Sequence, residues 1–160
     1  MGARTPYVAV CGPDPAPADV AALCESVGRA LARAGAILVS GGLGGAMEAA
    51  ARGAAAEGGT VLGILPGSDR RAANAFVTVS VPTGMGEMRN ALVVRAADAV
   101  IAVGGEFGTL SEIALALKAG TPVVGLGTWE LTKAGGRTVD PIVRAATPDE
   151  AVTKALSACA

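Results

Sequence analysis

Residues 98–112 read DAVIAVGGEFGTLSE, and this stretch decides the fold. Its apolar run Ala99–Val103 is short and uninterrupted, which is typical of a strand buried on both faces of a sheet. Glycines follow at once, and residues 109–119 then predict a helix that ends before Gly120. A strand, a glycine-rich turn and a helix in this order form one unit of a parallel α/β sheet.

Units of the same kind fill the rest of the chain. The predicted strands are residues 7–11, 36–40, 60–65, 76–81, 99–103 and 122–126. The predicted helices are residues 16–34, 46–57, 85–97 and 109–119, with a last helix that begins at a capping box in residues 147–150. Residues 66–74 and 127–141 are expected to be irregular. We therefore predict one α/β domain over residues 1–160, a Rossmann-like, open parallel sheet of six to seven strands with helices on both faces.

Composition excludes several classes of protein. The 160 residues are 51% hydrophobic and 17% charged, with a mean hydropathy of +0.50, which excludes an intrinsically disordered chain. No apolar run reaches the roughly 18 residues that a membrane span needs. The first apolar run stops at Gly12-Pro13, so we expect no signal peptide, no membrane partner and a cytoplasmic protein.

The residues that are missing limit the chemistry. The chain contains no histidine, which excludes Ser-His-Asp and Cys-His catalysis and histidine-bearing metal sites. Its three cysteines, Cys11, Cys24 and Cys159, form no Cys-x-x-Cys pair, so we predict ordinary thiols, no metal site and no bound cofactor. A net charge of −1 and a total of four aromatic residues argue against nucleic acid as a partner.

Two glycine loops, residues 41–45 and 104–108, each follow a strand and open a helix. Helix N-termini present unpaired N–H groups and bind phosphate well, and glycine lets the backbone approach the anion. The loops and Gly12 fall at the carboxyl ends of strands, where open α/β sheets bind ligands. Met47 stands where a dinucleotide fingerprint needs its third glycine, so that fingerprint is incomplete. The two loops together indicate a phosphate site, and tight turns without a ligand are the alternative.

Arg89 and Glu112 are the charged candidates beside these loops. Glu112 has a plain alternative, since residues 109–112 form a capping box in which its carboxylate would bond back to the Thr109 N–H. For Arg89 the alternative is a solvated surface cation. Spacing alone leaves both alternatives open.

The segments 89–90, 98–103 and 104–112, with Cys11-Gly12 and residues 41–47, resemble the Lonely Guy family of nucleoside-monophosphate phosphoribohydrolases. The resemblance implies a dimer or tetramer of Rossmann-like subunits that cleaves the N-glycosidic bond of AMP or a modified AMP. It implies that Arg89 and Glu112 are the catalytic pair and that Gly105, Gly108 and Thr109 hold the 5′-phosphate. Further nucleotide-binding candidates are Gly12, Gly41, Gly42, Gly44, Gly45, Met47, Met88 and Asn90.

Three departures from the family pattern support an alternative. Gly104 stands where the family pattern has a proline, Glu106 stands where it has its middle glycine, and Asn90 stands where it has a lysine. Glu106 would weaken anion binding unless it turns away or pairs with Arg70 or Arg71. This form is also similar to molybdenum cofactor carrier proteins, which implies a non-catalytic carrier or sensor of a nucleotide or of the molybdenum cofactor. A catalytically silent assembly domain is the third alternative.

Overall fold

The computed structural model describes residues 4–138 and 141–159, and within them it shows a seven-stranded parallel sheet. The strands of this sheet are β1 (Tyr7–Cys11), β2 (Ile37–Ser40), β3 (Val61–Leu65), β4 (Val79–Pro82), β5 (Ala99–Val103), β6 (Val123–Leu126) and β9 (Val143–Arg144). Between β6 and β9, the strands β7 (Thr132–Lys133) and β8 (Arg137–Thr138) form a separate antiparallel hairpin. Their order is β4-β3-β2-β1-β5-β6-β9. The predicted open parallel sheet is confirmed.

Five α-helices cover the sheet in the described residues: α1 (Ala18–Arg33), α2 (Gly45–Ala56), α3 (Asn90–Arg95), α4 (Phe107–Ala119) and α5 (Pro148–Ala158). Apolar side chains of α1, α2 and α5 form the core on one face, and those of α3 and α4 form the core on the other. Helices on both faces explain why the central strands are apolar along their whole length. No helix of the described residues is long and apolar enough to cross a membrane.

Several predicted boundaries were wrong. A 3₁₀ turn, Gly86–Arg89, and the six-residue α3 replace the predicted helix 85–97, because Gly84 and Gly86 adopt positive φ angles of 65° and 56° that end helical geometry there. β4 begins at Val79 instead of residue 76. The predicted irregular segment 127–141 contains β7 and β8, while its residues 139 and 140 lie outside the described part of the chain.

The strand order places the site. From β1 the chain builds outward through β2, β3 and β4, and then returns so that β5 pairs with the other side of β1. The carboxyl ends of β1 and β5 therefore flank the point where the strand order reverses, which is where open α/β sheets form ligand crevices. Cys11 is the last residue of β1 there and Gly12 follows it, while Gly104 and Gly105 follow β5.

Candidate functional site

A cavity of about 400 Å³ lies at this reversal point. Its volume is in the range of small-molecule sites. The structure brings seven of the sequence-predicted residues into its lining: Gly12, Met47, Arg89, Asn90, Gly108, Thr109 and Glu112. Six others, Gly41, Gly42, Gly44, Gly45, Met88 and Gly105, lie outside that lining.

Arg89 is buried at the cavity, with 8% of its surface exposed, so the alternative of a solvated cation was wrong. One Nη1 hydrogen bond, 2.9 Å long, goes to the side chain of Asn90, while Nε is buried without a partner among the described residues. Gly41 makes room for the guanidinium, because a Cβ there would lie 2.4 Å from Nη1. Burial lowers the pKa of Arg89, and the nearby Glu112 and Cys11 raise it.

The first turn of α4 provides a second unsatisfied group. Thr109 is only 2% exposed, lines the cavity, and has no hydrogen-bond partner for Oγ1 among the described residues. Gly105, at φ 120°, keeps this side chain in place, since a Cβ there would lie 2.5 Å from the Thr109 Cβ. A Cβ on Gly108 would meet no atom within 4 Å, so the helix N-terminus is open on the cavity side.

Glu112 does not cap its own helix. α4 begins at Phe107, two residues earlier than predicted, which moves Glu112 into the second turn and makes the capping-box alternative wrong. Its carboxyl is 8% exposed and faces the cavity. Burial raises its pKa to about 7, against the opposing effects of a hydrogen bond from the Cys11 thiol and the charge of Arg89.

Cys11 also lines the cavity. It is a free, buried cysteine, as the predicted ordinary thiol requires, but its place in the cavity lining was not predicted. The residue is 2% exposed at the end of β1 and lines the cavity. Burial raises the pKa of the Cys11 thiol well above its usual range, and the adjacent Glu112 raises it further, so the sulfur keeps its proton and donates to the carboxyl. The sequence could have indicated this place, because Cys11 is the last residue of a strand that ends where the strand order reverses.

Exposed carboxylates of Asp14, Glu87 and Glu106 form the cavity rim. No ion pair involves them in residues 4–138 and 141–159. The pairing of Glu106 with Arg70 or Arg71 is therefore not found, and Arg71 pairs instead with Asp69 at 2.9 Å. Asp14 and Glu87 were missed, because nothing local in the sequence marks them.

The loop of residues 41–45 builds the wall of the cavity. A Cβ on Gly45 would lie 2.5 Å from the Pro13 carbonyl oxygen, and the Ala46 N–H donates to that same oxygen at 2.9 Å. This close approach of two backbones presents Leu43 and Met47 to the cavity. Ligand contact by the loop glycines themselves stays a prediction.

A groove of about 420 Å³ adjoins the cavity and shares Glu87, Asn90 and Gly108 with it. Met88 and Phe107 line the groove and are 73% and 77% exposed. The Phe107 ring packs against Trp129, with 5.7 Å between the ring centroids. The described residues contain no cluster of three or more His, Cys, Asp or Glu side chains able to hold a metal ion.

The chain is similar to one protein family and to several solved structures. The model of the SLOG cluster4 family matches residues 5–152. The molybdenum cofactor binding protein of Rippkaea orientalis is 31% identical, with a TM-score of 0.87 over 98% of both chains. The molybdenum cofactor carrier protein of Chlamydomonas reinhardtii is 32% identical, with a TM-score of 0.84 over 97% of this chain and 98% of that one.

A further relative, an uncharacterised protein of Archaeoglobus fulgidus, is 48% identical over 100 residues, which cover 62% of this chain and 66% of that protein. The match thus spans just under two-thirds of that relative. The predicted similarity to molybdenum cofactor carriers is confirmed, whereas membership of the Lonely Guy family stays a prediction.

Proposed function

The chain belongs to the SLOG cluster4 family, and we propose that it is a carrier protein. Its cargo would be the molybdenum cofactor, a small phosphorylated ring compound, held in the cavity where the strand order reverses. Support comes from two relatives over 30% identical whose names state that they bind or carry that cofactor. The cofactor is cargo in this proposal, and no chemical step is assigned to it.

One observation carries the proposal. Two polar side chains more than nine-tenths buried, Arg89 and Thr109, line the same cavity with polar atoms that have no partner among the described residues. Leaving such groups unsatisfied costs about 1–3 kcal/mol each, so a ligand that satisfies both binds with that advantage. A phosphate at the open N-terminus of α4 accepts hydrogen bonds from the guanidinium, the hydroxyl and the backbone amides together.

The remainder of the cavity fits a ring. Leu43, Met47 and Pro66 supply an apolar wall, and Val10 and Pro13 extend it. Sites for small molecules combine such walls with a few polar groups that fix orientation.

Capture of the cofactor tests the carrier function. The purified protein is mixed with molybdenum cofactor released from a molybdoenzyme and separated by gel filtration, and molybdenum and oxidised fluorescent pterin are measured in the protein peak. We expect close to one molybdenum atom and one pterin per protein subunit. A protein peak that contains neither would contradict the proposal.

Hydrolysis of a nucleoside monophosphate is the second candidate function, favoured by one observation: Glu112 lines the same cavity as Arg89. Cleavage at C1′ passes through an oxocarbenium-like state that a nearby carboxylate stabilises. With a pKa of about 7, Glu112 is ionised in about half of the molecules at neutral pH, so the group is available for this role.

If this second function holds, incubation with AMP or isopentenyl-AMP should release free base, detected by chromatography. Release should rise as pH increases through 7, because Glu112 ionises in that range. Glu112→Gln should lower the rate by about 100-fold or more, as expected for loss of an essential acid or base. Wild-type protein that binds AMP and releases no base would eliminate this candidate and leave the carrier.

We also infer self-association into a homodimer or homotetramer through the face of α3 and α4 that carries the groove. Two large apolar side chains that line the groove, Met88 and Phe107, are 73% and 77% exposed. Contiguous exposed apolar patches mark interfaces in soluble proteins.

Replacement of Met88 by lysine should therefore convert the oligomer to monomer, since a charge in each of two facing patches opposes association. Light scattering after gel filtration measures the mass, and Val81→Lys, on the exposed edge strand β4, is the matched control. A wild-type monomer would contradict the inferred association.

A further inference from the structure

The cavity has two chemically different ends. At one end Gly108 and Thr109 lie in the first turn of α4. At the other, Leu43 and Met47 lie at the start of α2 and form an apolar wall. A ligand whose phosphate occupies the α4 end must direct the rest of its structure toward the α2 end.

Asp14 is the rim carboxylate at the apolar end. Its carboxylate lies beside the start of α2, where a Cβ on Gly44 would be 3.2 Å from Asp14 Oδ1. The other two rim carboxylates stand near the phosphate end, because Glu106 is the N-cap residue of α4 and Glu87 precedes Arg89 by two residues.

The Asp14 carboxylate is also free to bind. Within residues 4–138 and 141–159 no hydrogen bond or ion pair involves it, and it is exposed while lining the cavity. The buried, unpaired polar atoms of Arg89 and Thr109 are a second observation that points to a ligand in this cavity. An ionised carboxylate only accepts hydrogen bonds, so it selects ligand edges that present donors.

We propose that Asp14 reads the ring of the ligand by accepting two hydrogen bonds from adjacent N–H groups, and that it thereby selects a 2-amino-4-oxopyrimidine ring, the edge that guanine and pterins share. This inference rests on the proposed function, because the phosphate must first be held at α4. Adenine presents one amino donor beside a bare ring nitrogen, whose lone pair faces the carboxylate and repels it. The acidic rim opposes anion binding in general. Through Asp14 it also favours ligands whose ring presents two adjacent N–H donors.

Calorimetry with three probes tests the inference: GMP, AMP and ribose 5-phosphate. We expect the wild type to bind GMP about tenfold or more tightly than AMP, as for hydrogen bonds to a charged group. Asp14→Asn should bring GMP affinity down to that of AMP and should not weaken the binding of ribose 5-phosphate. Asp19→Asn, an exposed aspartate of α1 outside the cavity lining, is the matched control and should change none of the three affinities.

The outcomes separate this inference from the proposed function. Equal wild-type affinities for GMP and AMP, or a GMP preference that survives Asp14→Asn, would overturn the role of Asp14 while the phosphate site stands. Failure of all three probes to bind at millimolar concentration would overturn the phosphate site itself. Loss of ribose 5-phosphate binding in Asp14→Asn would assign Asp14 a structural role and also overturn the inference.

Discussion

Replacing Arg89 with alanine should weaken binding of a phosphorylated ligand by about 100-fold or more, the effect of removing one partner of a buried, hydrogen-bonded charge pair. Arg89 is 8% exposed, and its Nε has no partner among the described residues. Calorimetry with ribose 5-phosphate measures the affinity. Arg89→Lys should bind ribose 5-phosphate about tenfold more weakly than the wild type, because lysine keeps the positive charge but lacks the planar guanidinium group.

A matched control separates the lost contact from general loss of positive charge. Arg52→Ala removes a half-exposed arginine of α2 that pairs with Glu25 at 3.0 Å, away from the cavity lining. We expect its affinity for ribose 5-phosphate to stay within twofold of the wild type. Thermal unfolding of Arg89→Ala verifies that the variant is folded, and a folded variant with unchanged affinity would show that the phosphate does not bind at Arg89.

The fold could be predicted from the sequence because the strands near the centre of the sheet are apolar throughout and each is followed by a turn signal. Ala99–Val103 is buried at every position, and the glycines after it end the strand. β9 was missed because a two-residue strand, Val143–Arg144, is too short to show a period, and it exists only by pairing with β6. Its formation depends on tertiary contacts that no local pattern records.

The meeting of Arg89 and Glu112 was predictable for a topological reason: both follow turns at the carboxyl ends of strands, and those ends share one edge of the sheet. The capping-box alternative failed because two residues at the start of α4 decide where a carboxyl points. A helix that began at Thr109 would place Glu112 in its first turn, whereas the observed start at Phe107 turns it toward Cys11.

The rim of the cavity was the least predictable part. Asp14 approaches α2 only because Gly44 and Gly45 allow the two backbones to pack closely, so its position depends on residues thirty positions away. The glycines at 41 and 105 likewise make room for the side chains of Arg89 and Thr109, a role that a phosphate-loop pattern does not reveal. Glycine spacing therefore predicted the edge of the sheet at which the cavity lies and left open which atoms line it.

Glu112→Gln should make the protein more stable than the wild type at pH 8 by about 3 kcal/mol. In the folded protein burial raises the pKa of Glu112 from an ordinary value of 4.5 to about 7. A raised pKa stabilises the fold fully below pH 4.5, and that stabilisation is lost as the pH rises through 7. The neutral amide avoids the cost of ionising a buried carboxyl, and its Oε1 still accepts a hydrogen bond from Cys11.

Urea unfolding at pH 5 and pH 8 measures this effect. The unfolding free energy of the wild type should fall by about 2 kcal/mol more than that of Glu112→Gln between these two values. Glu130→Gln, which removes an exposed carboxyl outside the cavity lining, should follow the wild type. A phosphate beside Glu112 should raise its pKa further, so ligand binding near pH 7.5 should take up protons, detectable in buffers of different ionisation enthalpy. If the unfolding free energies of the wild type and Glu112→Gln changed equally with pH, that result would contradict a buried, titrating carboxyl at the centre of the site.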